Sequence, residues 1–188
     1  MTRNAFALAL ATGLLALSGC NQTDQSETAK EGAEAVKQAG DKTIAAGLDQ
    51  KGRFFTLAKA AGLDATLAGP GPYTVFVADD AAFDKLPAGT VETWMKPEAR
   101  PDLTRTLSYQ ILPGTVLAED IGKAIDAGGG KAQLATMGGG TLTATREGDK
   151  IILADGAGGK ATIAKADETL ANGVIHRTDA VLMPGAST

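Results

Sequence analysis

Cysteine is almost missing from this chain of 188 residues: Cys20 is its only one. That excludes an intrachain disulfide and a cysteine-based metal cluster. Histidine is as scarce, with His176 alone. Aromatic residues are 4% of a chain that is 44% hydrophobic, so aliphatic side chains must fill most of its core. No Lys/Arg run accompanies the net charge of -4, which leaves nucleic-acid binding without its basic footprint. No apolar stretch reaches the about 20 residues that a membrane-spanning helix needs. What the chain has in quantity is glycine, 24 residues, implying many turns or tight corners between strands.

The first residues read as an address. Arg3 supplies a positive start, and Ala5 to Leu17 is an apolar stretch of 13 residues, the length of a secretory signal core. Leu17-Ser18-Gly19-Cys20 then resembles a bacterial lipobox. The expectation is a lipoprotein signal peptide over 1–19, removed by cleavage, with Cys20 carrying acyl chains such as palmitate. At about 0.8 kcal/mol per buried CH2, two or more chains give a stable anchor in the lipid bilayer. Asn21 stands where aspartate resembles an inner-membrane retention signal, so the implied destination is the outer membrane, with the periplasmic or the surface face left open.

Residues 20–47 comprise the lipidated cysteine and a tether. The segment lacks aromatics and proline and holds too little apolar surface to fold alone. Ala29, Ala33, Val36, Gly40 and Ile44 recur at helical spacing, so it is flexible or partly helical.

Residues 48–184 form one domain, followed by a tail over 185–188. Phe54, Leu57, Ala58 and Ala61 mark one face of a helix. Tyr73 to Ala78 reads as a strand, and Asp79 or Asp80 as the N-cap of a short helix carrying Ala82, Phe83 and Leu86. Val91, Trp94 and Met95 mark a further helix. Leu103, Leu107 and Ile111 share a face of the next, and Leu117 to Ala127 is another. Beyond Gly128 the character changes. Ala132–Thr136, Thr141–Arg146, Lys150–Ala154, Ala161–Lys165 and Val174–Met183 are strand-like runs separated by glycine turns. Helices first and strands later suggest an α+β fold.

Three motifs in order carry a family resemblance. Gly71-Pro-Tyr-Thr-Val-Phe-Val-Ala-Asp-Asp-Ala-Ala-Phe83 and Asn172-Gly-Val-Ile-His-Arg-Thr-Asp-Ala-Val-Leu-Met-Pro184 resemble the two signature motifs of the fasciclin (FAS1) domain. Leu107-Ser-Tyr-Gln-Ile-Leu-Pro-Gly114 is similar to the central Leu-x-Tyr-His-x-Leu-Pro-Gly segment. The resemblance implies the FAS1 fold, a compact β-wedge of two small sheets with several flanking helices. It also implies an adhesion or binding module rather than an enzyme. Three departures stand out. Val77-Ala78-Asp79 replaces Ala-Pro-Thr, Tyr109-Gln110 replaces Tyr-His, and Asp167-Glu168 replaces an Asp-Ile pair. The last two places are linked to integrin binding in some animal members, so their loss argues against integrin recognition here.

Chemistry-bearing arrangements are weak. His176 and Asp179 lie three residues apart, which on a strand turns them to opposite faces, and no Gly-x-Ser-x-Gly elbow is present. His176 is expected to be structural, its ring bonded to backbone near the turn. Asp79, Asp80 and Asp84 lack calcium-loop spacing and read as capping residues. No metal or cofactor is expected. The expected function is that of a membrane-anchored binding or adhesion module of the cell envelope, with a protein, matrix or polysaccharide partner and no nucleic acid. Tyr109, Gln110, Thr115 and Glu119, taken as exposed around the central motif, are the candidate contact residues. The alternative is a periplasmic lipoprotein that binds a small ligand or serves in stress.

Overall fold

Two strands far apart in sequence and buried almost throughout organise the domain around them. The computed structural model describes residues 41–185. Cys20, the signal over 1–19 and the tether up to residue 40 lie outside the described residues. Strand β1 (Tyr73–Ala78) is buried along nearly its whole length. It pairs parallel with β7 (Gly173–Thr178), which places Phe76 beside His176 and Val77 beside Arg177. Successive side chains point to opposite faces, so this pair divides two cores.

On one face Val75, Val77 and Ile175 join Leu57, Leu67, Phe83, Leu103 and Leu107 from the helices. On the other, Phe76 joins Leu112, Ile121, Leu142, Leu153 and Leu182.

The helices are α1 (Ile44–Gly47), α2 (Arg53–Ala61), α3 (Asp64–Ala68), α4 (Asp80–Phe83), α5 (Thr90–Trp94), α6 (Arg100–Ser108) and α7 (Ala118–Ala127), with a 3₁₀ turn at Pro97–Ala99. The remaining strands are β2 (Ile111–Pro113), β3 (Lys131–Ala135), β4 (Thr141–Glu147), β5 (Lys150–Ala154) and β6 (Lys160–Leu170). The order across the sheet is β2-β1-β7-β6-β5-β4-β3. The long β6 belongs to both halves, pairing with β5 at one end and with β7 at the other across bulges near Lys165. The Met137 amide donates to the Ile111 carbonyl at 2.8 Å and nearly closes the ring. The α+β architecture thus stands as a wedge of two small sheets that share one strand.

Several boundaries differ from expectation, each for a physical reason. The folded domain begins before the expected residue 48, because Ile44 is fully buried and joins the helical core. Its amide donates to Asn172 Oδ1 at 2.7 Å, and Ala171 N donates to the Lys42 carbonyl. Ile111 leaves helical spacing and enters β2 opposite Val75. The last strand stops at Thr178 rather than Met183. There Asp179 turns back, its carboxylate accepting from Thr162 N at 2.7 Å. Gly185 is not a loose tail, since its carbonyl accepts from Arg105 Nη2. Gly173 has a φ of 150°, and a Cβ there would collide with the Tyr73 carbonyl, so only glycine admits this approach of β7 to β1.

Candidate functional site

The central motif is sealed at its start and open at its end. Tyr109 and Gln110 are 1% and 0% exposed, which corrects their expected place on the surface. Tyr109 ends α6 and reaches into the β core. Its hydroxyl donates to the Thr141 carbonyl at 2.7 Å and accepts from Gly156 N at 2.9 Å. Burial holds its phenol above the ordinary range, and Asp155 adds to this while the Gly156 bond opposes it. Gln110 offers its carbonyl to Phe76 N, but neither end of its side-chain amide has a hydrogen-bond partner among the described residues.

Thr115 and Glu119 are exposed, and the loop that bears them is clamped from beneath. Buried Thr74 donates to the Gly114 carbonyl and accepts from Val116 N, both at 2.8 Å. Asp167, with a φ of 60°, accepts from Ala118 N at 2.8 Å. Its carboxylate thus meets the first amide of α7, where a negative group is favourable. Glu119 pairs with Lys123 one turn on, at 2.9 Å. The arrangement presents Thr115 from a fixed platform, so a partner would lose little loop entropy on binding.

His176 is the third clamp. It is fully buried and stacks on Phe76 at 5.5 Å between centroids. Nδ1 accepts from Asp167 N at 3.2 Å, so Nε2 carries the proton and donates to the Val116 carbonyl at 2.8 Å. Burial pushes its pKa down, against smaller upward contributions from Val116 and Asp167. Both ring nitrogens are committed to backbone, which leaves neither to activate a nucleophile. Its neighbour in space is Asp167, 3.8 Å from Nδ1, and not Asp179.

A second region lies on the other face of β1 and β7. A cleft of ≈ 200 Å³ is lined by Leu48, Phe54, Phe55 and Val77, with Asp49, Asp79, Asp80 and Arg177 among the polar groups. Asp80 was one candidate cap of α4, yet its carboxylate accepts from Arg53 N at 2.9 Å and so caps α2 instead. Glycine stands at the N-cap of α2, with no side chain to do so. Asp84 pairs with the Arg53 guanidinium. Asp79 has the backbone of an N-cap (φ -66°, ψ 157°), but its side chain makes no capping bond. Arg177 is held by two bonds to Glu168, at 3.3 and 3.4 Å, and reaches Asp79 only at 4.0 Å. Burial raises the Glu168 carboxyl, but Lys165 and Arg177 outweigh it and the net direction is down.

Sequence reasoning missed this cleft and also missed Asn172. That side chain is buried and makes three bonds, accepting from Ile44 N and donating to the carbonyls of Leu67 and Gly69 at 2.9 and 2.7 Å. The Asn-Gly pair announces a turn but not these remote partners.

Comparison with known proteins places this geometry. The family model described as Fasciclin domain matches residues 50–184. Protein sll1483 of Synechocystis sp. is 32% identical over 165 residues, covering 85% of this chain and 84% of its own. Transforming growth factor-beta-induced protein ig-h3 of Sus scrofa is 36% identical over 129 residues, 68% of this chain but 17% of its own. Among solved structures, a FAS1 domain pair from the insect cell adhesion molecule fasciclin I superimposes with a TM-score of 0.64 at 16% identity. It covers 76% of this chain and 51% of its own, a likeness of fold alone.

Proposed function

The chain belongs to the fasciclin domain family, and from that premise we propose that it is a non-catalytic binding and adhesion module of the cell envelope, held to the bilayer by acyl chains on Cys20. The observation that carries the reading is the platform of residues 114–119. Thr74, Asp167 and His176 fix its backbone from below while Thr115 and Glu119 face outward. Residues that hold a loop rigid while leaving its tip free suit recognition by surface complementarity. Many anchored copies then raise a weak single-site affinity through effective concentration. A small-ligand role draws less support, because the cleft of ≈ 200 Å³ falls below the about 300–1,000 Å³ of ligand pockets.

Two experiments test this. Cys20→Ala is expected to release the protein from salt-washed membranes; retention would end the anchor reading. In-cell photo-crosslinking from position 115, with a control at Gln38, is expected to yield a discrete adduct from the platform alone. Absence of any specific adduct in cells rich in the folded protein would refute the platform as a contact surface.

A further inference from the structure

The turn between β6 and β7 holds a reactive pair under restraint. Asn172 is followed by Gly173. In an open chain this pair is prone to deamidation, because glycine has no side chain to hinder attack by its own amide nitrogen. In the fold Asn172 is 8% exposed and its side chain is fixed at both ends. Oδ1 accepts from Ile44 N, and Nδ2 donates to the carbonyls of Leu67 and Gly69. The backbone carbonyl of Asn172 accepts from Tyr73 N at 3.0 Å. So held, the side-chain amide carbon cannot swing toward Gly173 N, and the nitrogen that must leave is bonded through both its protons.

One restraint comes from a weak element. Helix α1 has four residues, too few to persist without its packing. Two bonds tie it and its approach to the turn, from Ile44 N to Asn172 and from Ala171 N to the Lys42 carbonyl at 2.9 Å. Such a piece opens at lower free energy than the buried strands. When it lifts, Asn172 loses its bond at Oδ1 and the cover of Ile44, while β1 and β7 stay paired.

We infer that Asn172 is a self-modification site gated by α1, and that its deamidation unlatches this edge of the domain irreversibly. The Gly173 amide gives its proton to solvent and its nitrogen bonds to Asn172 Cγ. The Cγ–Nδ2 bond breaks, and ammonia leaves with a proton taken from water. Water then opens the succinimide at either carbonyl, giving aspartate or isoaspartate. Neither product can latch again. A carboxylate at 172 has no proton for the Leu67 and Gly69 carbonyls. Isoaspartate adds a backbone atom where Gly173 already lies against the Tyr73 carbonyl. The edge set free is the one from which the chain runs back toward Cys20.

The test follows deamidation of the full chain by peptide mass mapping, in buffer, in urea below the unfolding transition and in urea above it. The folded chain is expected to react at least about tenfold faster than its globally unfolded fraction allows, with a rate that low urea leaves nearly unchanged, the signature of local opening. Ile44→Ala keeps the amide that bonds Asn172, and Ile44→Pro removes it. Proline fits the first position of α1, since Thr43 before it is extended. Both variants should react faster than the parent, and proline about tenfold faster than alanine, the size of one buried hydrogen bond. The isolated product should lose exchange protection at the amides of Gly47, Leu48 and Ala171 and keep it at Phe76 and Tyr109. A rate that follows global unfolding, no reaction in the folded chain, equal rates in the two variants, or a product still protected at Gly47 would each overturn the inference.

Discussion

His176 and Arg177 are neighbours in sequence and opposites in use. One is sealed, stacked on Phe76, with both ring nitrogens bonded to backbone. The other lies on the far face of the same strand and lines an open cleft beside Asp79, whose carboxylate caps no helix. The sealed region holds polar groups whose removal leaves buried partners stranded, so it carries stability. The open region holds polar groups that solvent also reaches, so their removal costs the fold less. A strand period of two is enough to set these roles apart.

The largest effect is expected at the most connected sealed residue. Asn172→Ala strands an amide at Ile44 and the carbonyls of Leu67 and Gly69. At about 1–3 kcal/mol for each buried group left unpaired, with partial relaxation, a loss of about 3–4 kcal/mol is expected in urea unfolding. A loss under about 1 kcal/mol would show that water reaches this turn and that it is not sealed.

The single histidine allows a cleaner test. Its folded pKa lies below 6.5, so between these values the unfolded chain binds a proton that the folded chain refuses. Stability is therefore complete above pH 6.5 and falls on acidification until the folded pKa is reached. Glu168, whose carboxyl is depressed, adds a second loss below about pH 4.5. His176→Phe is expected to abolish the first loss and keep the second, read as unfolding midpoints from pH 8 to pH 3. Persistence of the first loss in that variant would assign it elsewhere.

The elements themselves were largely legible. Tyr73–Ala78 and Lys150–Ala154 begin and end where composition and turns place them. Ile111 misled because helical spacing continues by chance across the end of α6 into β2. The site was less legible because its decisive bonds are remote in sequence. The caps of α2 and α7 come from Asp80 and Asp167, 27 and 49 residues away. Gly52 and Leu117 at the N-caps announce neither, although Asp120 in the first turn of α7 adds a local bond, accepting from Leu117 N at 3.1 Å. Exposure of Tyr109 and Gln110 was inferred from a motif, whereas burial depends on which face of β1 the chain crosses.

Gln110 sharpens the comparison at smaller scale, since it is sealed without being satisfied. Its amide lacks partners among the described residues, so an apolar side chain of the same reach loses no bond. Gln110→Met is expected to leave stability unchanged or raise it by up to about 1 kcal/mol. Gln110→Ala, which opens a void, should cost about 2 kcal/mol. A loss above about 2 kcal/mol in the methionine variant would show that the amide holds a buried water.

The smallest effect separates two adjacent carboxylates inside the cleft. Asp80→Ala removes the bond to Arg53 N and leaves α2 uncapped, for about 1 kcal/mol in thermal or urea unfolding. Asp79→Ala removes no hydrogen bond and loosens only a 4.0 Å contact with Arg177. It is expected to stay within about 0.5 kcal/mol of the parent. Equal losses at the two positions would mean that Asp79 caps α4 in solution, and the open region would then be structural like the sealed one. Unequal losses in the expected order mean that aspartate at 79 does nothing for the folded chain alone. That side chain, one residue past the end of β1, is then a surface group beside a strand whose own side chains are nearly all buried.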